Sequence, residues 1–347
     1  MAMNYMQRST LSILALVLLF AGPVNAFSLN PLNWFNSEAE EEELAALNIA
    51  KSAQEAEAKA MLEAGKNQLA AGKSGSANRS FKKIIKHFPN ANATGEARYL
   101  RGQIFMSKGQ WSKAFDSYQE LLIHHPDYEN FNLVIAAQFE CATALMEGAR
   151  GRIFWVIPGF RQYDTAIRQF ERIVRNAPYG DFAPLSLMNI ALIAEQEEDP
   201  DIAIDALDRL INYYPQSMLA PDAYYNMAQT YASLVSGEDY DQGSTRQAIS
   251  YYEDLLILFP NSEQLGEVEA GLEAMENLLA SSRLSLGDFY YTYRANNTAA
   301  LVFYNETITI APDSEAAAEA RQRIADIEAG VRPVTGANIL RKLLLAD

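Results

Sequence analysis

Apolar residues recur at helical spacing in six stretches of the chain, each closed by a proline: Pro89, Pro126, Pro178, Pro215, Pro260 and Pro312. Twelve residues before each proline stands an alanine: Ala77, Ala114, Ala166, Ala203, Ala248 and Ala300. Eight before stands a large apolar or aromatic residue: Phe81, Tyr118, Phe170, Leu207, Tyr252 and Tyr304. Four before stand Ile85, Leu122, Val174, Ile211, Leu256 and Ile308. Steps of four keep side chains on one face of a helix. The small alanine admits a neighbouring helix, and the large residue fills the gap one turn later. Proline lacks an N–H and disfavours helix at the residue before it, so the helix stops there.

Gly65 and Gly102 lie 24 residues before the first two prolines, and Gly72 and Gly109 lie 17 before them. The first pair permits close helix crossing, and the second ends a preceding helix, giving a helix–turn–helix unit. This pattern resembles the tetratricopeptide repeat. The alanine usual five before the proline is replaced by Ile84, Leu121, Ile173, Leu210, Leu255 and Thr307. The expected fold is an all-α, tetratricopeptide-type helical repeat solenoid of about six helix pairs. Each unit buries its face on the next, and the face made by the first helices is the expected binding surface. The spacing places the pairs at about 53–88, 94–125, 129–177, 180–214, 218–259 and 262–311, with a packing helix over 313–329 and a short apolar helix from Asn338 to Leu345. The prolines stand 37, 52, 37, 45 and 52 residues apart, so the third, fifth and sixth pairs carry insertions or longer helices.

Arg8 precedes an apolar run from Leu11 to Ala21, followed by Gly22-Pro23-Val24-Asn25-Ala26. The run is short for a bilayer span, and the small residues suit a signal peptidase, so residues 1–26 read as a cleaved signal peptide. No cysteine follows the run, and no lipidation is expected. Residues 27–52 read as a leader and an acidic N-terminal helix with a Ser37/Glu40 capping box. Residues 53–214 hold repeats one to four, 215–329 hold repeats five and six with the packing helix, and 330–347 form a tail. The whole chain carries a formal charge of −16, and the part after Ala26 carries 27 basic against 44 acidic residues, or −17. Such a surface repels phosphate backbones, which argues against a nucleic-acid partner.

The C-terminal half is more specific. Asp239-Tyr240-Asp241-Gln242-Gly243-Ser244-Thr245 precedes a repeat helix, and a long leucine- and alanine-bearing helix (Leu278-Leu279-Ala280, Leu284, Leu286-Gly287) ends in Phe289-Tyr290-Tyr291. That order resembles the BamD family of outer-membrane barrel-assembly (BAM) factors over about residues 53–329. The resemblance implies a non-catalytic periplasmic scaffold at the inner leaflet of the outer membrane. Its C-terminal repeats would dock on a BamA-like barrel-forming subunit, and its N-terminal repeats would receive unfolded outer-membrane protein precursors. The family member is usually a lipoprotein, and this chain lacks the cysteine in that place. A second reading is an accessory of the Tol–Pal envelope-constriction system. Residues 38–71 lack the sustained leucine heptad that its coiled coil needs.

Chemistry-bearing clusters are sparse. The three histidines, His87, His124 and His125, and the single cysteine, Cys141, do not give zinc-ligand spacing, so no metal, cofactor or catalytic residue is expected. Gly65 to Gly72-Lys73-Ser74 has six residues between its glycines where a phosphate loop has four, and reads as a turn. Candidate partner contacts are Arg98 and Arg101, cations one turn apart that could hold a peptide carboxylate. Phe154 and Trp155 belong to the apolar run Ile153–Phe160, which either tucks onto the array or meets a partner. Arg283 and Arg294 flank Phe289, Tyr290 and Tyr291, where some aromatics are expected buried and others exposed. The leader's Trp34 and Phe35 pose the same choice as the apolar run, or a peripheral membrane contact.

Overall fold

A computed structural model describes residues 37–148, 152–153, 157–158, 162–235, 237 and 242–331. The signal segment, the leader, Phe154, Trp155 and the expected helix at 338–345 lie outside the described residues, as do the side chains of the capping box. Thirteen helices are present among those described. They are α1 Ser37–Ala70, α2 Ser74–His87, α3 Asn92–Met106, α4 Trp111–His124, α5 Phe131–Met146, α6 Tyr163–Asn176, α7 Phe182–Gln196, α8 Pro200–Tyr213, α9 Ala220–Ser233, α10 Gln242–Leu258, α11 Leu265–Thr292, α12 Asn297–Ile310 and α13 Glu315–Glu328. A two-residue antiparallel pair, β1 Arg152–Ile153 with β2 Ile157–Pro158, lies between α5 and α6. The fold is the expected all-helical repeat array. Consecutive helices form repeats one (α1/α2) to six (α11/α12), and α13 packs on α12 and α11.

The register residues behave alike in all six repeats. The alanines twelve before the proline are fully buried, and so are the large residues eight before it. Burying a ring or a leucine there contributes about 2–3 kcal/mol. The expectation that the position four before the proline completes this face needs correction. Ile85, Val174, Leu256 and Ile308 are only half-buried, whereas Ile84, Leu121, Ile173, Leu210, Leu255 and Thr307, one residue earlier, are fully buried. The cause is helical geometry. At about 100° per residue, seven steps return the chain to within about 20° of its start, and eight overshoot by about 80°. The residues that displace the usual alanine are therefore the deepest.

The stop signal also repeats. The residue before each proline leaves the helix, with φ near −130° at Phe88 and −138° at Ala177. Its N–H still closes onto the carbonyl four back, as in Phe88 to Ile84, His125 to Leu121, Tyr214 to Leu210 and Ala311 to Thr307. In four repeats the residue 17 before the proline takes a left-handed turn between the paired helices. It is Gly72 (φ +73°) in repeat one and Gly109 (φ +65°) in repeat two. In repeats four and six the same turn is made by Glu198 (φ +57°) and Ala295 (φ +49°), without glycine.

Packing divides the chain into two compact bodies, Met1–Thr94 and Gly95–Asp347. In the first, a β carbon added at Gly65 would lie 2.5 Å from the Phe81 ring, so glycine is what lets α1 and α2 approach. Glu55 reaches the start of α3, accepting hydrogen bonds from the N–H groups of Asn92 (3.1 Å) and Ala93 (3.3 Å). In the second body each helix packs on its sequence neighbours. First helices also meet first helices (α5 with α7, α9 with α11), and α4 meets α6. A closed amide cluster of Gln119, Gln138 and Asn176 joins α4, α5 and α6, with bonds of 2.8 to 3.2 Å.

Candidate functional site

The last repeat brings exposed aromatic side chains and an exposed arginine together. α11 runs 28 residues because leucine, alanine and glutamate continue it well past an ordinary repeat helix. One of its glycines, Gly287, sits where an added β carbon would lie 2.5 Å from Tyr304 of α12. Tyr304 donates its hydroxyl hydrogen bond to Asp288 (2.7 Å), and Arg323 of α13 also reaches Asp288 (3.1 Å). Burial, then the bond to the Asp288 carboxylate, pushes the Tyr304 phenol far above its ordinary value, so it stays a neutral donor. This triad ties α11, α12 and α13 into one support.

The support sorts the C-terminal residues singled out from the sequence. Tyr291 is buried, and its hydroxyl donates to the Val331 carbonyl at 2.6 Å. Tyr290 stacks on Phe303 with ring centres 5.4 Å apart. Phe289 is 41% exposed and Tyr293 76%. Arg294 is exposed and lies over the Phe289 ring at 5.4 Å. Arg283 is buried and pairs with Glu306 of α12 at 3.4 Å. The expected mixture of buried and exposed aromatics is present. Arg283, by contrast, spends most of its charge inside the repeat. Beside it a groove of about 930 Å³ opens between α10, α11 and α12, with Arg246 and Arg283 against Leu301, Val302 and Ile310.

Arg98 and Arg101 divide in the same way. Arg98 is buried and pairs with Glu120 of α4 at 2.5 Å, while Ser117 donates to its carbonyl at 2.9 Å. It is a tie between α3 and α4, and its burial argues against the expected grip on a peptide carboxylate. Arg101 is half-buried and lies 5.1 Å from the centre of the Phe105 ring. Burial lowers its pKa, partly offset by Glu120. Sequence reasoning missed the partner glutamates. The available signal was that Glu120 and Glu306 both stand six residues before their prolines.

Cys141 is fully buried, and burial pushes its thiol up to about 12, so it is an inert packing residue. Among the described residues no group of three or more His, Cys, Asp or Glu could hold a metal ion, and no helix is long and apolar enough to cross a membrane.

Comparison with known proteins agrees with this geometry. A tetratricopeptide repeat family model matches residues 62–129, and the YfiO model, described as an outer membrane lipoprotein, matches residues 160–330. The outer membrane protein assembly factor BamD of Rickettsia prowazekii (strain Madrid E) is 27% identical over 152 residues, covering 43% of this chain and 59% of that protein. The BamD of Caulobacter vibrioides is 24% identical over 128 residues, covering 37% and 42%. That of Neisseria meningitidis serogroup B is 22% identical over 138 residues, covering 37% and 52%. The chain thus spans about half the length of the curated relatives it matches. It is similar to the YfiO outer membrane lipoprotein model over residues 160–330, to tetratricopeptide repeats over residues 62–129, and to BamD proteins over about half of their length.

Proposed function

We propose that this BamD-like repeat chain is a non-catalytic scaffold of outer-membrane protein assembly, exported by residues 1–26 and working at the periplasmic face of the outer membrane. The observation that carries the reading is the exposed aromatic–cation surface of repeat six, Phe289, Tyr293 and Arg294. It lies within the stretch matched by the outer membrane lipoprotein model. Aromatic side chains and arginine are the usual anchors of protein interfaces, because they bury large area and still offer donors. The partner is a BamA-like barrel-forming subunit, docked on repeats five and six. Carboxylates on that partner would meet Arg294 and Arg246. Repeats one to four would receive unfolded barrel precursors along their first helices.

Removing residues 218–347, with a solubilising helix appended to cover the apolar end, tests this. Repeat arrays stack by nearest neighbours, so repeats one to four should keep their helicity by circular dichroism. Affinity purification from membranes should then lose the barrel-forming subunit. Equal recovery by the full and truncated chains would refute C-terminal docking. Recovery of Tol–Pal components instead would replace the assembly reading.

A further inference from the structure

Six large apolar side chains stand exposed beside the helix-ending prolines of repeats two to five: Ile123, Tyr179, Tyr213, Met218, Ile257 and Leu258. Tyr179 is 100% exposed, Met218 95%, and Tyr213 and Ile257 each 74%. They lie along one continuous edge. Asn176 donates to Gln119 at 2.8 Å, joining the ends of α6 and α4. Tyr214 donates to the Pro178 carbonyl at 2.6 Å, joining the next two loops. Gln264 donates to Asp222 at 2.7 Å, and the Tyr224 and Phe259 rings lie 5.7 Å apart, which carries the edge on to the loop after α10.

From repeat three onward this edge is sparse in charge, whereas the loop after α4 carries Asp127 and Glu129. No charged residue occurs in Leu210–Pro221, in Leu255–Ser262 or in Asn176–Gly180, although 21% of the chain is charged and its net charge is −16. Side chains this exposed project from the surface as tips. Tips recurring at repeat spacing suit a flat, fluid apolar layer, and tyrosine favours the headgroup boundary. The acidic bulk of the protein opposes an anionic surface, whereas an edge sparse in charge meets a neutral one without that penalty. We propose that the loop edge from Tyr179 to Leu258 rests on a zwitterionic lipid surface, with Tyr179, Tyr213 and Met218 entering the headgroup layer. The inference stands apart from the partner-docking reading, whose residues, Phe289, Tyr293, Arg294 and Arg246, are not among these.

Vesicle flotation tests it, using the chain from Phe27 onward. The parent should float with phosphatidylcholine vesicles. Tyr179→Ser/Tyr213→Ser/Met218→Ser should float about tenfold more weakly or worse, because each loses apolar area that the lipid would cover. The control Leu44→Ser/Leu47→Ser/Ile49→Ser removes exposed aliphatics from α1 and should float like the parent. All six substitutions are at exposed positions, so helicity should be unchanged. No flotation of the parent, equal flotation of the loop variant, or an equal loss in the control would overturn the proposal. So would stronger capture by phosphatidylglycerol vesicles. If the loop variant instead loses self-association in vesicle-free sedimentation with flotation intact, the edge is an interface between copies, and the lipid assignment falls.

Discussion

In repeat two, Arg98 and Gly102 on the first helix face Glu120 and Tyr118 on the second. In repeat six, Arg283 and Gly287 face Glu306 and Tyr304 in the same arrangement. In both, the glycine lets a tyrosine ring cross the helix, and one turn away a buried arginine binds a glutamate on the partner helix. In both, a second arginine lies over a phenylalanine: Arg101 on Phe105 and Arg294 on Phe289. The repeats differ at their edges. The Tyr118 hydroxyl meets the Met106 sulfur (3.1 Å), whereas Tyr304 is held by Asp288 and Arg323. The turn is Gly109 in repeat two and Ala295 in repeat six. An inner arginine therefore belongs to the fold in both places, and only the outer one differs in what it can reach.

The largest effects should come from the shared crossing. Gly102→Val and Gly287→Val should each cost about 3 kcal/mol by overpacking the tyrosine, read as matched falls in urea midpoint by circular dichroism. A tolerated valine in either repeat would break the equivalence. Next come the ion pairs. Glu120→Ala should cost about 2 kcal/mol, because it strands the buried Arg98, with the loss moderated by the half-exposed glutamate. Glu306→Ala should cost about 1 kcal/mol, since its contact is longer. A reversed order in the same unfolding assay would contradict the ranking.

The turns sharpen the contrast because their signs oppose. Ala295→Gly should stabilise by about 0.5–1 kcal/mol, since it relieves a left-handed alanine, and Gly109→Ala should destabilise by about 1 kcal/mol. Thermal midpoints moving the same way would show that the two turns are not equivalent. The smallest effect is in pH. Burial, then Arg98, lowers the His125 pKa below its ordinary 6.5. The fold therefore favours neutral His125, and its contribution is lost as pH falls through about 6.5 toward the lowered folded value. Repeat six holds no histidine. A Gln at position 125 should flatten the stability profile between pH 7 and 5, and an unchanged slope would count against the burial argument.

Much of this was legible in the sequence. Proline, alanine and the large residue eight before the proline repeat without exception, and they depend on local periodicity alone. The turn at Glu198 and Ala295 was hidden, because the glycine that signals it is absent while the backbone keeps the shape. The pairing of Arg98 with Glu120 and of Arg283 with Glu306 spans two helices. It depends on where the helices cross, which periodicity along one helix does not set. Both arginines therefore looked like free cations. Arg294 with Phe289 remained outward, beyond the Asp288 triad that holds α12 and α13.

The most direct test of the account is co-purification from membranes of a Tyr293→Ser/Arg294→Glu variant beside Glu306→Ala. The account predicts that the first loses the barrel-forming subunit while keeping its thermal midpoint, and that the second keeps the partner despite a lower midpoint. Retention of the partner by the Tyr293→Ser/Arg294→Glu variant would contradict it.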